Sequence, residues 1–169
     1  MAMKMRFVTS EIIFESTDDT CDPRPGPLPG ALAPPPPPVM ESNRPEMREL
    51  DAPGPGGPIH TWIASPAGAG DEPLPTIVDV HGGPLGAWAP APHIEVVLLC
   101  ARGYRVVLPN IRGSISYGRG WIRPHLGNWG GPDADDVHAA LDHAVALGLA
   151  DGNRLGALGL SYGGFMVNW

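Results

Sequence analysis

One stretch decides the fold: Leu155-Gly156-Ala157-Leu158-Gly159-Leu160-Ser161-Tyr162-Gly163-Gly164. Its first six residues are small and apolar, which predicts a strand covered on both faces of a sheet. The residues from Tyr162 to Trp169 predict the beginning of a helix. Ser161 lies between these two elements, and a serine on so sharp a turn needs small neighbours such as Gly159 and Gly163. The sequence therefore predicts a strand, a tight turn and a helix, with the hydroxyl of Ser161 held above the edge of the sheet.

Strand and helix patterns alternate upstream of this stretch. Strands are predicted at residues 59–64, 76–80, 104–108 and 155–160, and helices at residues 93–102 and 132–148, with a turn at Asp151-Gly152-Asn153. The spacing of apolar residues assigns a buried face to each helix: Ile94, Val97, Leu98 and Ala101 in the first, and Val137, Ala140, Leu141, Ala144 and Gly148 in the second. This alternation predicts an α/β fold with a mostly parallel sheet and flanking helices.

The N-terminal third differs from the rest of the chain in its amino-acid composition. Glycine and proline make up 27% of the 169 residues, and 13 of the 22 prolines lie between residues 21 and 58. Because proline fixes φ and removes a backbone donor, we expect residues 21–58 to be an irregular, extended linker without helix or sheet. Residues 1–20 contain one short apolar burst, Glu11 to Phe14, which predicts a single strand. The predicted organisation is thus a short N-terminal segment at 1–20, a linker at 21–58 and a folded domain at 59–169.

Charge and cysteine content exclude several classes of protein. The net charge is −7 without a basic patch, which argues against a nucleic-acid partner. No apolar run approaches 18 residues and no secretory signal precedes the first acidic residues, so we expect no membrane association. Cys21 and Cys100 form neither a disulfide framework nor a metal motif, and Cys100 is expected to be a buried thiol. These features predict a cytoplasmic protein without a metal or organic cofactor.

Three motifs carry chemistry. The G-x-S-x-G turn at Ser161 is typical of a nucleophile elbow, where helix N-terminal amides face a developing oxyanion. The second motif, His81-Gly82-Gly83-Pro84, follows a predicted strand, so its glycines could turn their amides toward a ligand or simply form a turn with a structural histidine. The third motif runs from Asn110 to Gly118 through Arg112-Gly113 and Tyr117. It leaves a strand end, where α/β sheets bind ligands, although a glycine-punctuated surface loop would look the same.

Together these motifs resemble the catalytic domain of the prolyl oligopeptidase family of serine peptidases. That family carries HGGP after one strand, an N-x-R-G-x-x-x-Y-G loop after the next, and G-x-S-Y-G-G at the elbow. It also has a W-G…D…D segment, matched here by Trp129-Gly130, Asp136 and Asp142. The resemblance covers residues 59–169 and implies part of an α/β-hydrolase fold acting on peptide substrates through an acyl-enzyme. Its HGGP, where related esterases tend to carry HGGG, favours the peptidases.

The resemblance also implies roles for individual residues. Ser161 would be the nucleophile, and the backbone amides of Tyr162 and Gly83 would form the oxyanion hole. The hydroxyl of Tyr117 matches an oxyanion donor of one branch of the family, so the donor that partners Tyr162 is left open. His81 would shape the loop and would not be the catalytic histidine.

The sequence departs from the family pattern after Ser161. Only eight residues follow, and none is acidic or histidine, whereas α/β-hydrolases carry their triad acid and histidine after the serine. We therefore expect the chain to be an inactive front part of a longer catalytic domain. In the family that it resembles, a β-propeller normally precedes this domain. A carboxylesterase on the same fold is one alternative. The other is a non-catalytic chain that binds partners through its proline-rich segment or a bare sheet edge.

Overall fold

The computed structural model describes residues 44–91 and 93–169. Five strands and four helices follow one another along this part of the chain. The elements are β1 (Glu46–Gly54), β2 (Gly57–Ser65), β3 (Leu74–Val80), α1 (Ile94–Ala101), β4 (Arg105–Pro109), α2 (Arg119–Ile122) with a 3-10 turn at Arg123–His125, α3 (Pro132–Ala146), β5 (Ala150–Gly159) and α4 (Tyr162–Asn168). The strand–turn–helix expected around Ser161 is confirmed by β5 and α4.

The five strands form one sheet in the order β1-β2-β4-β3-β5. Strands β4, β3 and β5 run parallel, while β2 pairs antiparallel with both β1 and β4. The sheet is therefore mixed, and only its β4-β3-β5 half has the parallel order expected from the sequence. Because parallel strands end at the same edge, the segments after β3, β4 and β5 emerge side by side. Those segments contain the three motifs.

The expected linker is wrong for residues 46–54, which form β1 within the stretch assigned to irregular structure. Its one proline, Pro53, is tolerated because β1 is an edge strand, where a missing backbone donor costs no ladder hydrogen bond on the open side. Ala52 packs into the core from this strand, and Pro53 pairs with Pro58 close to the hairpin turn. The predicted strand at Glu11 to Phe14 and the proline run at 34–38 lie outside the described residues.

Helices cover both faces of the sheet. On one face, Ala140 and Ala144 of α3 pack against Ile59, Val78 and Val107, as the spacing in α3 predicts. On the other face, α1 packs against β2 and β4 with Val96 and Cys100 buried, and burial raises the pKa of the Cys100 thiol to about 11.

The buried face of α1 differs from the expected one. Ile94 and Leu98 are each 56% exposed, whereas Val96, Val97 and Cys100 are buried. Seven of the eight residues in this helix are apolar or small, so periodicity alone could not select the face that meets the sheet.

The last strand, β5, is an edge strand that pairs only with β3. It begins at Ala150, so the turn expected at residues 151–153 lies inside the strand, next to an irregularity in its register with β3. The sequence predicts that its apolar side chains are covered on both faces of the sheet, but Leu155 is 42% exposed and Leu158 is 39% exposed. The reason is that no strand pairs with the other side of β5 among the described residues.

Candidate active site

Ser161 occupies a strained turn at the carboxyl end of β5. Its φ of 58° and ψ of −116° lie outside the regions that non-glycine residues usually adopt. The glycines around it are required by space. A methyl group on Gly159 would lie 2.4 Å from the carbonyl carbon of Gly163, and one on Gly163 would lie 1.9 Å from the carbonyl oxygen of Val80. The backbone of β3, β5 and α4 thus converges around a raised serine, which is the geometry of a nucleophile elbow.

The HGGP loop lies directly beside this elbow. A methyl group on Gly82 would lie 3.2 Å from the carbonyl oxygen of Leu160 and 3.6 Å from Cβ of Ser161. Gly83 follows with a φ of +127°, a conformation that favours glycine. Within the described part of the chain, the amides of Gly83 and Tyr162 donate no hydrogen bond to another protein group. Two unengaged amides therefore lie within one residue of the contact between Gly82 and Ser161.

His81 is engaged structurally. Its Nδ1 lies 2.9 Å from the carbonyl oxygen of Gly82, and its Nε2 lies 2.8 Å from the hydroxyl of Ser114. Burial lowers the pKa of His81, which favours the neutral imidazole with a single ring proton. Because the carbonyl oxygen of Gly82 can only accept, Nδ1 donates to it, and Nε2 shares the single proton of the Ser114 hydroxyl with the carbonyl oxygen of Ile111, which lies 2.6 Å from that hydroxyl. Nδ1 thus contacts the HGGP loop itself and Nε2 contacts the loop after β4, so His81 links the two loops.

Tyr117 is placed elsewhere. Its hydroxyl lies 2.6 Å from Nδ1 of His60 on β2, and β2 is three strands from β5 in the sheet order. The structure thus brings Ser161, Tyr162 and Gly83 together and leaves Tyr117 outside that group. Its role as an oxyanion donor stays a prediction, and it would require the contact with His60 to break.

Two polar residues after β4 hold the loops in place. Asn110 is fully buried and accepts the backbone N–H of Trp88 at 2.7 Å. Arg112 forms a two-pronged contact with the buried carboxylate of Asp136, at 2.9 Å from Nε and 2.8 Å from Nη2. This contact ties the loop to α3, and the hydrogen bond with Asp136 raises the pKa of Arg112. Asn110 and Arg112 therefore hold the loop after β4 in place through Trp88 and Asp136.

A buried polar cluster behind the elbow was not found by the sequence reasoning. The hydroxyl of Tyr162 donates to the carboxylate of Asp133 at the start of α3, and Nδ1 of His125 lies 3.1 Å from the same oxygen. Trp129 stacks on His125 and meets Tyr162 edge-on. Burial, reinforced by Asp133, raises the pKa of Tyr162 and keeps its hydroxyl protonated. The only sequence signal was the acidic first turn of α3, which is equally typical of a helix dipole contact.

Two cavities flank the HGGP loop. One of about 640 Å³ is lined by Gly83, Pro84, Leu85, His125, Leu126, Gly127 and Trp129. The other, of about 540 Å³, lies toward β5 and α1 and includes Asp79, whose pKa is raised to about 6 by burial and by Glu95. The elbow therefore has open space on both sides of the loop that carries Gly83.

Comparison with known proteins agrees with this geometry. A model of the prolyl oligopeptidase family matches residues 91–169. Residues 91–169 are therefore similar to the prolyl oligopeptidase family. Among curated relatives, an uncharacterized peptidase, YuxL, of Bacillus subtilis is 41% identical over 113 residues, covering 66% of this chain and 17% of the relative. A probable dipeptidyl-peptidase 5 of Emericella nidulans is 37% identical over 115 residues, covering 66% of this chain and 16% of the relative.

Solved structures of peptidases have the same fold. An acylaminoacyl peptidase of Pyrococcus horikoshii superposes with a TM-score of 0.68 at 32% identity, covering 74% of this chain and 20% of that one. A puromycin-hydrolyzing peptidase of Mycobacterium tuberculosis gives 0.68 at 33% identity, covering 75% of this chain and 20% of that one. The sheet with its flanking helices is therefore that of the α/β-hydrolases, and the chain spans about a fifth of these relatives' length.

The described residues contain neither a membrane-spanning helix nor a group of three metal-ligating side chains. Across residues 44–91 and 93–169, no helix has the length and apolar character needed to cross a membrane. In the same part of the chain, no three acidic, histidine or cysteine side chains are grouped to hold a metal ion.

Proposed function

We propose that this protein is a serine-type peptidase that cleaves peptide bonds through an acyl-enzyme on Ser161. The observation that carries the proposal is the strained turn at Ser161 lying against Gly82 of the HGGP loop. In that arrangement the amides of Gly83 and Tyr162 can converge on one oxygen near the Ser161 hydroxyl. Two donors aimed at a single developing charge are the usual device for stabilising a tetrahedral intermediate.

The reaction follows from these positions. The oxygen of Ser161 attacks the carbonyl carbon of the substrate while its proton passes to a general base, and the carbonyl π electrons move onto the oxygen that the amides of Tyr162 and Gly83 hold. When the intermediate collapses, the C–N bond breaks and the leaving amine takes the proton. Water then attacks the acyl carbon while the base takes its proton. The ester C–O bond to Ser161 breaks and the base returns the proton to the serine oxygen, which releases the acid and restores the hydroxyl.

The general base is the part of the proposal that these residues do not supply. His81, whose loop touches the elbow, has both ring nitrogens engaged by Gly82 and Ser114. No histidine or acidic residue stands between Ser161 and Trp169. The proposed mechanism therefore requires a general base and an orienting carboxylate in addition to the residues described above, because an unassisted serine hydroxyl is a weak nucleophile.

The substrate class is proposed from the relatives. Their names describe peptidases that act on acylated or dipeptidyl ends of peptides or on puromycin, and we extend to this protein only the cleavage of short peptide amides. Its setting is proposed to be the cytoplasm, to which the buried free thiol of Cys100 is suited.

A paired assay tests this function. The full-length protein and its Ser161→Ala variant would be given N-acylated and free dipeptidyl amides alongside simple esters of the same acyl groups. The proposal predicts amide cleavage that the variant loses. Turnover of esters without amides would identify a carboxylesterase instead, and amide cleavage that survives in Ser161→Ala would refute the assignment of the nucleophile.

A further inference from the structure

We infer that Asp133 is a positioning residue for the oxyanion hole, acting through the side chain of Tyr162. The inference rests on the proposed function, because it concerns how the backbone amide of Tyr162 is aimed. It assigns a task to the side chains of the cluster behind the elbow, namely the buried Asp133, Tyr162 and His125 and the half-exposed Trp129, which have no part in the steps described above.

The contacts of Asp133 show a carboxylate that only accepts. Its Oδ2 accepts the Tyr162 hydroxyl and the amide of Gly130 at 3.3 Å, and its Oδ1 accepts the amide of Ala134 at 3.1 Å. Asp133 is 0% exposed and Tyr162 is 5% exposed, so water does not compete for these bonds. A buried acceptor that is supplied with donors from three directions fixes the far end of the tyrosine ring.

Aromatic neighbours also contact that ring. The ring of His125 meets it edge-on with centroids 5.3 Å apart, and Trp129 meets it edge-on at 5.2 Å. His125 is in turn held against Gly113, where a methyl group would lie 2.9 Å from the imidazole. Nδ1 of His125 approaches Asp133 to 3.1 Å without the alignment of a hydrogen bond, so His125 contributes mainly by filling space.

The direction of the Tyr162 amide needs such a restraint. That amide belongs to the peptide unit joining residues 161 and 162, and its direction is set by the ψ of Ser161, which is −116° with a positive φ. A non-glycine residue in such a sparsely populated backbone conformation persists only where the surroundings hold it. Tyr162 is anchored at the backbone end by the close approach of Gly163 to Val80 and at the side-chain end by Asp133. Release of the second anchor allows the peptide unit to turn away from the oxyanion.

The test uses two mild substitutions in the full-length protein, Tyr162→Phe and Asp133→Asn. Tyr104→Phe is the matched control, because Tyr104 lies before β4, is 38% exposed and has no part in the site. Active-site titration with a fluorophosphonate first counts the reactive Ser161 in each sample. Then kcat per titrated site and KM are measured on a peptide amide, together with the inhibition constant of a peptide aldehyde, whose hemiacetal oxygen occupies the oxyanion hole.

The inference predicts that kcat per titrated site falls about tenfold in each variant with KM changed less than twofold, since loosening a donor costs less than removing it. Affinity for the aldehyde should fall by the same factor as kcat. The double variant should be no worse than either single one, because both changes release the same anchor. Fewer titrated sites with unchanged kcat per site would show a merely structural role and overturn the inference. Absence of titration in the unchanged protein would instead refute the proposed function.

Discussion

Gly163 and Gly164 provide a sharp test of the elbow, because they differ in the atoms that an added methyl group would meet. Both lie in the first turn of α4, so replacing either with alanine gains up to about 1 kcal/mol of helix propensity. A methyl group on Gly164 would lie 3.3 Å from the carbonyl oxygen of Gly159, a tight contact that a small shift relieves. A methyl group on Gly163 would lie 1.9 Å from the carbonyl oxygen of Val80 and 2.9 Å from its carbonyl carbon.

The Gly163 clash cannot be relieved by a side-chain rotation, since both partners are backbone. Separating them requires a movement of about 1 Å or more at the end of β3, given that carbon atoms pack at about 3.5–4.0 Å. Overpacking of this kind costs about 1–3 kcal/mol, and a rigid backbone partner places Gly163→Ala at the upper end. We therefore expect Gly163→Ala to lose about 3 kcal/mol, or about 6–12 °C in the unfolding midpoint of the domain, while Gly164→Ala stays close to the unchanged protein.

Thermal unfolding followed by circular dichroism measures both variants in the full-length protein, and serine labelling reports the elbow itself. Gly163→Ala should lose labelling because the movement displaces the HGGP loop that follows β3, whereas Gly164→Ala should keep it. Equal midpoints and equal labelling for the two variants would refute the packing of α4 against β3 and with it the geometry assigned to Ser161.

Three further predictions concern residues around the site. Burial raises the pKa of Asp79 to about 6 from 3.8, so its contribution to stability is fully present below about pH 4 and is lost as the pH rises through 6. Asp79→Asn should remove up to about 3 kcal/mol of this decline in stability, measured as unfolding midpoints from pH 4 to 8. An unaltered pH profile of the midpoint would contradict the burial of the carboxyl. Asp136→Asn should destabilise the domain by about 3 kcal/mol because it removes the buried carboxylate that pairs with the largely buried guanidinium of Arg112. Asp135→Asn, at an exposed neighbouring position, should leave the unfolding midpoint unchanged, and equal effects of the two substitutions would show that the ion pair is not formed. Gly113→Ala should cost more stability than Gly118→Ala in chemical denaturation, because both have positive φ but only the first methyl meets a side chain; the reverse order would place the 3-10 turn differently.

The sequence predicts the elbow and the HGGP loop well because their chemistry is local. A serine raised on a turn requires glycines at fixed offsets, and a loop that offers amides requires a glycine pair after a strand. Both requirements are visible within a few residues of Ser161 and Gly83. The family resemblance then orders these motifs along the chain, which is enough to predict the α/β fold.

Features that depend on distant neighbours were not predictable in this way. Strand β1 was missed because it lies in a proline-rich stretch and its own Pro53 is acceptable only at a sheet edge, a position that the pairing of β1 with β2 decides. The buried face of α1 was assigned wrongly because the helix is apolar on almost every side. The hydrogen bond between Asp133 and Tyr162 joins residues 29 positions apart, and nothing in the local pattern of either residue indicates the other.

The most direct test of the account is the chemical identity of the residue that a fluorophosphonate modifies in the full-length protein. Tryptic mapping by mass spectrometry after brief exposure should place one adduct per chain on the peptide that contains Ser161. Prior incubation with a peptide substrate should slow its formation, and the same treatment of the 169-residue chain alone should give no adduct. A stoichiometric adduct on any other residue, or peptide cleavage by a protein whose Ser161 stays unmodified, would contradict the central claim.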